Sequence, residues 1–183
     1  YDTLKPYYER AERLYHVHGQ VGSDITDPPR GPFPYQAVPH ADGMVGYIES
    51  LRRQGLHPSY LPLGLRNVGA SEGCILCDTC NSFPCQRHAK SDADVCCIRP
   101  IRARPNVTLW ANTQARRLLT NSSGSRVMAV EVERDGQIYR VEAPLVVLSC
   151  GAVNSAALLL RSASDVCPDG LANSSGLVGR RYM

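Results

Sequence analysis

The sequence predicts a mixed α/β fold, in which amphipathic helices and irregular segments lead into an antiparallel β-meander and then a strand–turn–helix unit. Three observations carry this expectation. Residues 145–148 (LVVL) are a short apolar run with the pattern of a strand buried on both faces. The small residues Ser149, Cys150 and Gly151 follow, and Asn154 and Ser155 then lead into the apolar helical pattern of residues 156–160. Upstream, Asp135-Gly136 separates two partly alternating runs and is a strong hairpin signal. Near the start, Leu4, Tyr7, Tyr8, Ala11, Leu14 and Tyr15 recur at three- and four-residue spacing. A strand, a small-residue turn and a helix start bring backbone N–H groups close to a phosphate or cofactor. An ordinary βα unit with tight helix–sheet packing has the same local pattern, so both readings stay open at this point.

The first helix is expected through about Tyr15, with Asp2 as its cap and Pro6 tolerated in its first turn. Residues 19–39 hold five prolines and three glycines, the composition of an irregular, lid-like surface stretch. Helix returns at residues 42–54, with Met44, Val45, Ile48 and Leu51 on one face and Gly55 as its stop. The run YLPLGL at 60–65 is broken by Pro62 and Gly64, which favours an extended segment over a central strand. Ser91-Asp92-Ala93-Asp94 opens another helix, with Val95, Ile98 and Ile101 on its apolar side. The strands expected next are 107–111 with its continuation 114–119, then 126–133 and 137–141, joined by turns at 121–124 and 135–136. Residues 107–141 therefore read as a meander. Residues 145–148 are expected in a separate, mainly parallel sheet, followed by a helix at 154–161.

At 183 residues the chain has the length of one domain, and 43% hydrophobic with 20% charged residues is a soluble, globular composition. No apolar run approaches the ~20 residues of a membrane span. The chain starts at Tyr1 without an initiating Met and stops at Arg180-Arg181-Tyr182-Met183, so it reads as a piece of a longer protein. A formal net charge of +3 with scattered arginines gives no sign of a nucleic-acid partner. Composition leaves the compartment open between cytoplasm and periplasm.

Six of the eight cysteines lie within residues 74–97, whereas a disulfide scaffold would spread them. Cys74-x2-Cys77-x2-Cys80-x4-Cys85 nearly repeats the C-x2-C-x2-C spacing of bacterial ferredoxins. Such spacing lets thiolates converge on one soft centre, an iron–sulfur cluster or Zn. Cys96 and Cys97 are adjacent, and on a helix their side chains point about 100° apart, so they do not readily share one metal. Local disulfides, such as Cys74 with Cys85, and plain reduced thiols are the competing readings. If the first holds, the four sulfurs converge on one loop.

Six segments in order carry a family resemblance: YDTLKPYYERAE at 1–12, FPCQRHAKSDA at 83–93, RPNVTLWANTQARRLL at 104–119, RVMAVEV at 126–132, VVLSCGAVNSAALLLRSAS at 146–164 and GLANSSGLVGRRYM at 170–183. Together they resemble the middle portion of a glucose–methanol–choline (GMC) oxidoreductase, over nearly the whole chain and most weakly at 19–39. The resemblance implies part of an FAD-binding, Rossmann-like domain, with residues 1–105 as a substrate-domain, lid and cysteine-loop portion and 106–183 as the FAD-domain portion. It implies an alcohol or sugar as substrate and hydride transfer to the flavin. The family's Gly-rich motif and its C-terminal catalytic His have no counterpart in these residues, so the resemblance assigns no catalytic residue here. It places Ala115 on the strand whose backbone reaches the adenine. It places Ser149, Cys150, Gly151 and Ala152 on the small-residue turn beside the dinucleotide, with Cys150 where the family usually has Ala. Some dehydrogenases of the family carry an iron–sulfur cluster in the region of Cys74–Cys97, with different spacing, and pass electrons to an acceptor protein.

The remaining features point less sharply. His16, His18, His40, His57 and His88 read as surface or loop residues rather than as a catalytic base. Lys90 reads either as a cation steadying a pyrophosphate or flavin, or as a solvated charge at a helix start. Tyr7 and Tyr8 read as packing residues. The N-x-[ST] sequences at Asn106, Asn121 and Asn173 matter only in a protein secreted by a eukaryote. Three functions follow: a flavoenzyme portion inactive by itself, a cysteine-ligated electron-transfer or structural module, and a catalytically silent interaction domain.

Overall fold

Apolar spacing near the start builds α1 at Lys5–Leu14, with Pro6 in its first turn. The computed structural model describes residues 1–77 and 80–181. Asp2 does not cap α1. Instead the Tyr1 carbonyl accepts from the N–H groups of Leu4 and Lys5, both at 2.9 Å, so a preceding backbone turn takes the role of a side-chain cap. Tyr7 and Tyr8 are 67% and 52% exposed, which corrects the expectation that they pack inward.

The chain forms two compact units, Tyr1–Thr108 and Leu109–Met183. In the first, β1 (Val17–Gly19) lies between β2 (Tyr35–Gln36), to which it is parallel, and β3 (Leu63–Gly64), to which it is antiparallel. The stretch expected to be irregular thus supplies one residue of β1 and all of β2. Strands of two or three residues are too short to show alternation in a sequence. A 3-10 turn at Asp42–Met44 leads into α2 (Val45–Arg53), which buries Ile48 and ends ahead of Gly55 at φ 79°. Asp92 caps the next helical segment, its Oδ1 accepting from Val95 N at 2.8 Å. That segment is a π-helical turn, Asp94–Ile98, continued by the short α3 at Arg99–Ile101.

The second unit holds β4 (Thr113–Thr120), β5 (Val127–Arg134) and β6 (Gln137–Glu142), an antiparallel meander in that order. Residues 107–111 are not part of β4. The β5–β6 turn has Asp135 at φ 52° and Gly136 at φ 74°, the paired positive angles that a two-residue hairpin of matching twist requires. A register shift between Ala115 and Arg117 leaves Arg116 as an extra residue, and the bulge turns Arg117 toward the end of α4 (Ala152–Arg161). There Arg117 Nη2 donates to the Ala163 carbonyl. The core is Leu118, Leu158 and Leu171, with Ala115, Val127, Val130, Val146 and Leu148 packed against it.

Residues 145–148 correct the expectation of a strand buried on both faces. They pair with no strand among the described residues. Val146 and Leu148 turn onto the core, whereas Leu145 and Val147 are 77% and 75% exposed. A continuous apolar run thus conceals a one-sided segment, because a parallel strand is covered on both faces only when flanking strands and helices are placed around it. The described residues contain two small sheets, one mixed and one antiparallel, alongside the helices. No helix among them is long and apolar enough to cross a membrane.

Candidate functional site

Two places hold the residues singled out by the sequence. The first is the turn into α4. Ser149, Cys150, Gly151 and Ala152 are all exposed. Gly151 adopts φ 80° and ψ 163°, a conformation that L side chains rarely take, and a Cβ built there meets no atom within 4 Å. The turn is closed by Cys150 N donating to Ser155 Oγ at 3.1 Å and Ser155 N donating to the Gly151 carbonyl at 2.9 Å. No side chain caps α4, and the N–H groups of Ala152, Val153 and Asn154 find no partner among the described residues. An uncapped helix start behind an open glycine turn has the donor pattern of a phosphate site.

Ala115 sits on β4 opposite Val132 and packs on the same Leu118–Leu158 core that Val146 and Leu148 cover just before the turn. The shared core fixes both pieces within one unit. Ser162, which sequence reasoning missed, locks that core. Only 1% exposed, it accepts from Leu118 N at 2.9 Å and donates to the Leu158 carbonyl at 2.6 Å. A serine following a helical apolar pattern carries no signal for such a role, since its partner lies 44 residues away.

The second place is the cysteine loop. Cys74 N donates to the Arg66 carbonyl at 3.0 Å, and Gly69 N to the Cys74 carbonyl at 2.9 Å. The far end is tied by Arg66 N to the Ala89 carbonyl and by Ser91 N to the Gly64 carbonyl. Gly73 is required by close approach, because a Cβ there would overlap the Asn67 carbonyl. Cys74, Cys77, Cys80 and Cys85 all line a cavity of about 700 Å³, with Phe83 and Ile75 among its apolar walls. Asp78 and Thr79, within the same loop, lie outside the described residues.

Lys90 and Arg87 clamp this loop through its carbonyls. Lys90 Nζ donates to the carbonyls of Cys80 at 2.6 Å and Phe83 at 2.8 Å. Arg87 donates to the carbonyls of Gly73 and Ser71. Lys90 is thus engaged by the chain's own backbone at a partly buried position. The thiols diverge in environment. Burial pushes the Cys80 thiol up, with the neighbouring Cys77 adding to the rise. The Ala89 N–H, with lesser help from those of Arg87 and Lys90, pulls the Cys85 thiol down against its partial burial. Cys74 and Cys85 are both free thiols, so the suggested disulfide between them is absent.

The expected convergence of Cys74, Cys77, Cys80 and Cys85 on one metal is not found. Among the described residues no group of three or more His, Cys, Asp or Glu side chains is placed to hold a metal ion. Zinc and iron–sulfur centres need three or four such ligands on one point. Here Cys85 is turned toward backbone amides, and the clamped backbone holds the loop in that arrangement. Among the described residues no such ligand set is formed.

The histidines divide. His57 and His88 are exposed. His18 is partly buried, pairs Nδ1 with the Gln36 carbonyl at 2.8 Å and stacks on Tyr35. His16 and His40 are also partly buried, each with a buried ring nitrogen that lacks a partner.

Residues 49–180 match the GMC oxidoreductase family model, and the chain belongs to that family, whose members generally bind FAD. It is 37% identical over 183 residues to 6'''-hydroxyparomomycin C oxidase of Streptomyces lividus, covering 97% of this chain and 33% of that protein. It is 36% identical over 180 residues to paromamine 6'-oxidase of Streptomyces fradiae, covering 97% of this chain and 32% of that protein. Fructose dehydrogenase large subunit of Gluconobacter japonicus is 30% identical over 194 residues, covering 100% of this chain and 34% of that protein. The chain therefore spans about a third of the length of these relatives.

Proposed function

We propose that this chain supplies part of the cofactor framework of an FAD-dependent oxidoreductase that oxidises an alcohol or sugar hydroxyl. The observation that carries the reading is the uncapped start of α4 behind the open Gly151 turn. Its three unpartnered N–H groups would donate to the pyrophosphate, where the helix dipole also favours negative charge. Ser149, Cys150 and Ala152 leave the space beside the turn open, and the backbone at Ala115 would lie along the adenine. Bound FAD would accept the hydride, while the residues here hold and orient it.

Residues 145–148, bare on one side, read as a strand of that cofactor domain's parallel sheet. Residues 106–183 would then be the FAD-domain portion and 1–105 the substrate-domain, lid and cysteine-loop portion. The names of the relatives, oxidases of a hydroxyparomomycin and of paromamine and a dehydrogenase of fructose, support a sugar or alcohol substrate. A dehydrogenase reaction would add an electron-acceptor protein as partner.

The test is made on the full-length protein that contains this chain. Cys150→Trp places a large ring at an exposed position, where it spares the fold but fills the space beside the turn. It should lose the flavin absorbance that co-elutes with the protein while keeping its far-ultraviolet circular dichroism, and Cys150→Ala should retain both. Full flavin occupancy in Cys150→Trp would overturn the assignment of the turn.

A further inference from the structure

We propose that the cavity between α1 and residues 28–30 is a binding subsite for a neutral, polyhydroxylated ring, that is, one unit of a saccharide. Its volume is about 360 Å³, at the small end of the ~300–1,000 Å³ typical of ligand pockets. That space suits a single sugar ring and is small for a dinucleotide. Tyr1, Tyr8 and Tyr15 with Pro28 form its apolar walls, and Glu12 and Arg30 are its charged lining.

The charged pair is built and oriented. Arg30 Nη2 donates to Glu12 Oε2 at 2.6 Å, with side chains only 14% and 18% exposed. Arg30 Nε donates to the Gly31 carbonyl at 3.3 Å, and the guanidinium lies 3.5 Å from the centroid of the Phe33 ring. These contacts fix the guanidinium plane. No hydrogen bond among the described residues reaches Glu12 Oε1 or Arg30 Nη1, so one acceptor and one donor remain side by side.

Such a pair matches a vicinal diol, one hydroxyl donating to the carboxylate and its neighbour accepting from the guanidinium. The pair is neutral as a whole, so an anion would meet Glu12 and a cation would meet Arg30. A purely apolar occupant would cover both open sites without pairing them, at a desolvation cost. The tyrosine rings supply flat apolar surface for the C–H face of the sugar. This inference does not rest on the flavin reading, because binding here is measured without any cofactor.

The full chain is titrated with methyl α-D-glucopyranoside and followed by saturation-transfer NMR. A ligand of this size is expected to bind with a Kd of about 1 mM. Tyr8→Ala, at a half-exposed ring, should weaken binding about three- to tenfold, and Tyr8→Phe should keep it. Glu12→Gln should weaken it about tenfold, and Arg140→Gln on β6 should change nothing. Should Glu12→Gln fail to fold, as judged by circular dichroism, the two Tyr8 variants decide. The proposal is overturned if no transfer is seen, if binding is unchanged in Tyr8→Ala, or if inorganic phosphate or indole competes as well as the sugar.

Discussion

Ser162 joins the end of α4 to β4 through one hydroxyl that both accepts from Leu118 N and donates to the Leu158 carbonyl. Removing it leaves the buried Leu118 N–H without this partner, beside the core leucines of the second unit. Ser162→Ala is therefore expected to cost about 1–3 kcal/mol in urea-induced unfolding, and no loss would show that the Leu118 N–H finds another partner. His16 gives a pH signature in the first unit. Burial, then Arg66 and His18, hold its pKa below the ordinary 6.5. The unfolded chain binds this proton first as pH falls, so stability drops from about pH 6.5 downward and the penalty is complete below the folded-state value. The lowered pKa of Asp24, held down by its bond from Thr26, acts in a separate window below 3.8. His16 sits at φ 50°, which Asn tolerates better than most residues, so His16→Asn is the apt variant. Its melting temperature should fall less than that of the parent chain between about pH 7.5 and 5, and parallel profiles would refute the assignment.

Among the elements, the cysteine loop is ordered by contacts that its local sequence does not show. Four cysteines within twelve residues suggest ligation, but two cations ten and fourteen residues along from the carbonyls they bind organise the backbone instead. Charge-assisted bonds from Lys90 replace the order that a metal would impose on so polar a loop. Lys90→Met should release the Cys80 and Phe83 carbonyls and open the loop locally. Maleimide labelling of Cys80 and Cys85 should then accelerate, while unchanged labelling would mean that Arg87 and the β3 contacts suffice. The meander behaves differently. Its register follows from the Asp135-Gly136 turn and from alternation, and the bulge at Arg116 only re-aims Arg117.

At the scale of the molecule, the proposed cofactor framework is one part of what the reaction requires. Turnover needs bound FAD and a positioned base together, and the chain spans about a third of its relatives' length. The chain by itself, supplied with FAD, should show no dye-linked oxidation of alcohols or sugars above a buffer control, whereas the full-length protein should. Turnover by the chain alone would contradict this. The exposed side chains of Leu145 and Val147 also make self-association at high concentration the expected failure mode in isolation.

The meander, α1, α2 and α4 were legible in the sequence because each repeats its period long enough to stand out, and the DG turn fixes one register outright. The same holds for the family, since six loose segments in a fixed order are specific together. Asp92 as a cap and Gly151 as a turn residue could likewise be read from local chemistry. What lay beyond the sequence depends on partners distant along the chain. β1 and β2 are too short to have a pattern and exist only through pairing across sixteen residues, as His18 meets Tyr35. Residues 145–148 read as fully buried because apolar side chains record a preference for burial, whereas the neighbours that achieve it are a matter of tertiary structure. Cysteine spacing likewise records which thiols could converge, whereas the Lys90 and Arg87 bonds that order the loop's backbone, and the amides around Cys85, join residues brought together only by tertiary structure.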